Sequence, residues 1–197
     1  MIIRNSSTGL ETELILATLL HGNQLKRTTR TGWVQRGVPD PENVAAHTFG
    51  VAFVTLILAP MLKEPIDLGT ALALAILHDL PEGVTSDIPR PAWQYLPENS
   101  KVIAEHTIMK EIMGDLDEAT RVLKLWAELQ ESITAEARLV HDADKIDLYL
   151  QALVYEQQTG NRMLEEFWIA HPSYYFACSL SLYEAIRDRR IAGKEYC

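Results

Sequence analysis

Cysteine is nearly missing from this chain: Cys178 and Cys197 are the only two in 197 residues. Two cysteines make no disulfide framework. Strand-type alternation is scarce, which argues against a sheet. Positive charge is short as well, with 18 Lys and Arg against 27 Asp and Glu and a net charge of −9. With no long basic run, tight binding to a nucleic-acid polymer has no electrostatic source. Small phosphorylated ligands stay open, because they need only a local cluster of cations. No apolar run reaches the ~20 residues that span a bilayer. The longest, Val51 to Leu62, is interrupted by Thr55 and Pro60. Residues 1–9 are polar with one arginine and do not read as a signal peptide. Internal repeats and low-complexity segments are absent too. The expectation is a cytoplasmic protein with neither a nucleic-acid polymer nor a membrane as partner.

What is present is helix. The chain is 47% hydrophobic, enough to bury a full core in one domain over residues 1–197. Leu10 to Leu25 reads as a first helix with Leu14, Leu16, Leu19 and Leu20 toward the core. Lys26 to Gly37 is basic, rich in threonine and holds two glycines, so it reads as a loop. Asp40 and Pro41 look like the N-cap and first position of a helix running from Glu42 to about Leu58. That helix is apolar nearly all round and reads as central and buried. Pro65 and Asp67 start the next, and Pro81 ends it. Glu82 to Pro97 reads as loop. Further helices are expected at Glu98 to Met113, Asp117 to Leu129, Thr134 to Gln157, Leu164 to Ile169 and Ser173 to Arg190. The fold class is therefore all-α, a single bundle of roughly seven or eight helices.

Chemistry concentrates where the apolar run Ala71 to Leu77 meets His78, Asp79 and, three residues on, Glu82. Burying such groups without partners costs about 2–7 kcal/mol for a neutral polar group and more for a charge. A metal ion satisfies an imidazole and a carboxylate together. His47 lies inside the preceding helix, and a short connection lets the two helices lie side by side. Asp142, Asp144 and Asp147 follow on a helix whose apolar positions include Val140, Ile146, Leu150 and Val154. At 3.6 residues per turn Asp144 and Asp147 fall on or beside the inward face, and Asp142 points away from it. One divalent ion would give the buried aspartates and both histidines a common partner.

The segments Arg30-Thr-Gly-Trp33-Val-Gln-Arg36, Glu42-Asn-Val-Ala-Ala-His47, His78-Asp79-Leu-Pro-Glu82-Gly-Val-Thr-Ser-Asp87-Ile-Pro89 and Ala143-Asp144-Lys145, in that order, resemble the HD-domain phosphohydrolases, in the branch of the 5′-deoxynucleotidases. The resemblance runs from about residue 25 to 155; residues 161–197 add nothing to it. It implies an all-α fold, a homodimer, and one divalent ion (Mn, Co, Zn, Fe, Ni or Mg) held by His47, His78, Asp79 and Asp144. Glu82 is then the general base or the group that orients the attacking water. Asp87 faces the sugar hydroxyl or assists the leaving oxygen. Arg30 and Arg36 can bind phosphate bidentately, Trp33 offers a flat wall beside the ribose 2′ position, and Lys145 offers a phosphate contact. The branch carries an arginine immediately before that tryptophan; this chain has Gly32 there. His21, His106, His141 and His171 read as structural or exposed, and Trp93, Trp126 and Trp168 as packing residues.

The implied activity is hydrolysis of (deoxy)nucleoside 5′-monophosphates, with a small nucleotide as partner. Two alternatives stand beside it. One is a phosphodiesterase or pyrophosphohydrolase acting on cyclic or hyperphosphorylated nucleotides. The other is a nucleotide-binding sensor without turnover, against which Glu82 and Asp87 argue.

Overall fold

The computed structural model describes residues 6–114, 116, 117, 119–169 and 171–194. Cys197 lies outside them. The described chain is all-α. Its helices are α1 (Ser6–Gln24), α2 (Thr31–Gln35), α3 (Val44–Leu58), α4 (Leu68–Leu77), α5 (Glu82–Thr85), α6 (Arg90–Trp93), α7 (Ser100–Met113), α8 (Ala119–Gln130), α9 (Ala135–Thr159), α10 (Glu165–Ile169) and α11 (Ala177–Lys194). The two stretches read as loops each contain short helices, α2 in the first and α5 and α6 in the second.

The longest helix, α9, packs against α3, α4 and α11 and forms the spine of the bundle. It starts where Thr134 accepts the Ala137 N–H, and α4 starts where Asp67 accepts the Thr70 N–H. The start of α3 differs from expectation. Its cap is Asn43, which accepts the Ala46 N–H at 2.9 Å, while Asp40 takes a left-handed conformation (φ 52°). The reason is a short antiparallel bridge: the Val44 N–H donates to Thr28 O and the Arg30 N–H to Glu42 O. That pairing keeps Glu42 and Asn43 extended and ties the arginine-bearing segment to the head of α3.

The inner stripe of α3 is Val44, His47, Val51, Val54 and Leu58, all buried. Val44 joins one apolar cluster with Leu25, Leu80, Met109 and Trp126. Val51, Val54 and Leu58 join the larger one with Leu74, Leu139, Ile146 and Trp168. His47 sits on the same stripe between the two.

Burial of α3 is one-sided, contrary to the sequence reading. Phe49 is 71% and Phe53 53% exposed, and their rings stack with centroids 6.1 Å apart. Leu14, Leu16, Leu19 and Leu20 of α1 are also exposed, as are Leu150 and Val154 of α9, which the sequence reading counted among the apolar positions of the inward side. These apolar faces outnumber the neighbours that the described residues supply. By length and composition Val44–Met61 is also apolar enough to cross a membrane, with a mean hydropathy of 1.8, a third of it buried here. Thr55, the polar residue within that run, is itself fully buried.

A candidate metal centre and its cleft

Three helices bring the ligand-type side chains together. His47 projects from the middle of α3 and is completely buried. His78 and Asp79 follow the last turn of α4, and Asp144 lies on α9. The His47 Nε2 stands 3.1 Å from Asp144 Oδ1, 3.6 Å from Asp79 Oδ2 and 3.3 Å from His78 Nε2. The His78 Nε2 is 3.1 Å from Asp79 Oδ2. A tetrahedral ion with ligand bonds of about 2.0–2.2 Å has edges of about 3.3–3.6 Å, close to these separations of 3.1–3.6 Å. The donor atoms of His47, His78 and Asp144 all fall within 4.8 Å of one another.

Hydrogen bonding points the same way. The His78 Nδ1 lies 2.8 Å from Ala75 O. A carbonyl can only accept, so the proton belongs on Nδ1 and the lone pair on Nε2. Two imidazole nitrogens facing each other with carboxylates around them suit a bound cation, or, without one, a His47 ring protonated at both nitrogens between Asp144 and Asp147. Two nitrogens and two oxygens suit several divalent metals and select none.

The electrostatics are those of a cation site. Burial and the Arg30 charge push His47 down, but hydrogen bonds to Asp144 and Asp147 outweigh them and raise it to about 10. Burial pushes Asp79 up, yet His78, Arg30 and His47 hold its carboxyl well below the usual range. For Asp144 burial is likewise overcome by His47.

A cleft of about 860 Å³ opens beside these groups. Arg30 reaches into it and donates to Asp79 Oδ2 at 3.3 Å. Burial opposes its charge, but Asp79, Asp144, Asp87 and Glu82 more than compensate. Glu82, in the first turn of α5, is buried, and its Oε2 has no hydrogen-bond partner among the described residues. Burial first, then Asp79 and Asp87, push its pKa up to about 9. The Asp87 Oδ2 accepts the Thr31 N–H at 2.6 Å, which anchors the Arg30–Trp33 segment on the cleft wall.

The remaining expected substrate contacts are placed differently from one another. Trp33 lines the cleft but is 1% exposed. Its ring packs on Tyr155 and Phe167, and its Nε1–H donates to Glu42 Oε1 at 3.0 Å. Arg36 lines the cleft, pairs with Glu166 and lies over the Phe167 ring. The Lys145 ammonium donates to Ser173 O at 2.6 Å. Asp142 does point away from the ligand cluster, but not to solvent: it is fully buried and accepts the N–H groups of Tyr175 and Phe176.

Sequence reasoning missed part of the wall. Lys101 from α7 and Glu166, Phe167, His171 and Ser173 from the C-terminal segment line the cleft. None sits in a motif. Only the structure shows that Asp142 is buried; a buried carboxylate must find donors somewhere, and it finds them in that segment. Of the histidines set aside, His141 is structural, its Nε2 lying 2.8 Å from Leu129 O. Trp126 and Trp168 are core residues, as expected.

The family model described as "HD domain" matches residues 22–171. The chain belongs to the HD domain family. Within it, the chain is similar to "5′-deoxynucleotidase HDDC2" of Bos taurus, 32% identical over 179 residues that cover 86% of this chain and 84% of the relative. It is 30% identical to the protein of the same name from Danio rerio, over 85% and 83% of the two chains. Among solved structures, the PH0347 protein of Pyrococcus horikoshii is similar at a TM-score of 0.76 with 37% identity, covering 87% of this chain and 97% of its own. A conserved hypothetical protein of Pyrococcus furiosus matches at 0.76 and 36%, over 88% and 99%. The HD-domain match spans every residue of the candidate metal centre and most of the cleft, up to His171.

Proposed function

We propose that this HD-domain chain is a metal-dependent phosphomonoesterase that hydrolyses (deoxy)nucleoside 5′-monophosphates to nucleoside and inorganic phosphate. The observation that carries the reading is the placement of Glu82. It is a buried carboxylate with one oxygen unpartnered among the described residues, in the same cleft as the histidine–aspartate cluster and Arg30. Pure nucleotide binding has no use for such a group. The curated relatives named 5′-deoxynucleotidases support the substrate class.

In this reading His47, His78, Asp79 and Asp144 hold one divalent ion, which when bound supplies Lewis-acid charge and lowers the pKa of water. Arg30 pairs with a phosphoryl oxygen in exchange for its contact to Asp79. Positive charge introduced beside Glu82 opposes the carboxylates that raise its pKa, and the freed carboxylate takes a proton from the attacking water. Asp87 faces the sugar or the leaving oxygen while holding Thr31. Trp33, fixed by Glu42, limits room at the sugar. Arg36 and Lys145 are reserve cations, both engaged by protein oxygens in the absence of substrate.

The same reading takes a small nucleotide, not a nucleic-acid polymer or a membrane, as partner, and the cytoplasm as location; the −9 charge supports the first exclusion. A second copy of the chain covers the outward face of α3, where Phe49 and Phe53 stand exposed.

A panel of 5′- and 3′-, ribo- and deoxynucleotides with several divalent metals tests the assignment. Phosphate release from 5′-monophosphates is expected. Turnover of only cyclic or hyperphosphorylated nucleotides, or binding without turnover, would replace it with one of the two alternatives.

A further inference from the structure

His47 is gripped at both ring nitrogens by a single turn of α9. Asp144 Oδ1 lies 3.1 Å from Nε2, and Asp147 Oδ2, three residues on, lies 2.8 Å from Nδ1. Glu42, His47 and Asp147 also place donor atoms within 4.8 Å of one another, a second group that shares with the first only His47. A second ion there would take Nδ1 while the first takes Nε2, which requires an imidazole stripped of its last N–H. A hydrogen bond from Nδ1–H to a carboxylate requires no such cost.

We propose that Asp147 is the positioning residue of the metal centre: its carboxylate receives the Nδ1–H of His47 and fixes ring and tautomer so that Nε2 turns its lone pair to the ion. A ligating histidine held this way is oriented and made a better donor. The backbone of α3 is shaped for it. Gly50 lies one turn beyond His47, and a Cβ there would overlap the Asp147 carboxylate, coming within 2.5 Å of its Cγ. The carboxylate therefore sits directly against the backbone of α3, in space that only glycine leaves open. Asp147 is 15% exposed, so water competes weakly for its oxygens.

The inference rests on the metal reading above, and the test separates the two. Cobalt(II) titration of the purified metal-free protein gives a dissociation constant and, from the visible ligand-field bands, a signature of the coordination geometry. If wild type binds no Co²⁺ at the cluster, the metal reading itself fails. If it binds, Asp147→Ala should weaken Co²⁺ by about 10–100-fold and change the band pattern. Asp147→Asn keeps an acceptor oxygen and should recover most of the affinity. Gly50→Ala keeps the carboxylate but drives it off His47, and should reproduce the loss; it also serves if Asp147→Ala does not fold. Wild-type affinity and spectrum in Asp147→Ala or Gly50→Ala, or an Asp147→Asn protein as weak as Asp147→Ala, would overturn the assignment.

Discussion

His47 and His78 meet Nε2 to Nε2 across 3.3 Å, one from the middle of α3 and the other from the end of α4. With Nδ1 of His78 committed to a backbone carbonyl, that contact asks for a cation. His47→Ala and Asp144→Ala should each abolish stoichiometric binding of one divalent ion per chain, whereas Asp142→Ala should leave it intact if the variant folds. Metal analysis after dialysis checks this. A fully loaded His47→Ala protein would end the four-ligand assignment.

Glu82 links activity to stability. Glu82→Gln should retain metal and lower kcat by about 10²–10⁴ if Glu82 is the base. The raised pKa carries a second consequence for the metal-free protein. Between about 4.5 and about 9 the folded state holds a proton on Glu82 that the unfolded chain has released. More protons bound in the native state mean that stability falls as pH rises through that window, and the penalty is complete above it. Thermal melts of the metal-free Glu82→Gln protein should therefore show a higher Tm than wild type at pH 8 and little difference at pH 4.5. Equal melts at both pH values would show that burial of Glu82 carries no such penalty.

Trp33 now has two roles to separate. Truncating a fully buried aromatic costs about 3–5 kcal/mol, so Trp33→Ala should melt well below wild type. Trp33→Phe keeps most of the volume and loses the bond to Glu42. On folded protein, both should narrow the gap in kcat/KM between deoxy and ribo 5′-monophosphates by improving the ribonucleotide. A loss of stability with an unchanged ratio would leave Trp33 as packing only.

The two arginines are not equivalent. Arg30 is beside the ligand cluster, and Arg36 is held by Glu166. Arg30→Ala should weaken ribo and deoxy substrates alike. Glu166→Gln should lower KM if Arg36 must leave Glu166 to meet phosphate. A KM unmoved by Glu166→Gln would assign Arg36 to the wall.

The outward face of α3 sets the fifth comparison. If a second copy covers that face, as proposed, Phe53→Glu should be monomeric where wild type is dimeric in analytical ultracentrifugation. A wild-type monomer at micromolar concentration would remove the homodimer.

The helical fold and the order of the histidine and aspartate segments that cluster were legible in the chain itself, because both are local properties. Periodicity reports helices, and His47, His78-Asp79 and Asp144 each carry their chemistry in the residue type. Caps at Asp67 and Thr134 were legible for the same reason. The tertiary structure alone decided which apolar faces found neighbours. Phe49, Leu19 and Leu20 look like core residues by composition and are exposed, since burial depends on what the rest of the chain brings alongside. It also decided the partners of charges. That Arg36 meets Glu166, that Asp142 clamps Tyr175 and Phe176, and that Asp147 rests in the gap at Gly50 are contacts between residues far apart in sequence. A short-range interaction between distant residues exists only once packing brings them within a few ångströms, and no local pattern encodes it.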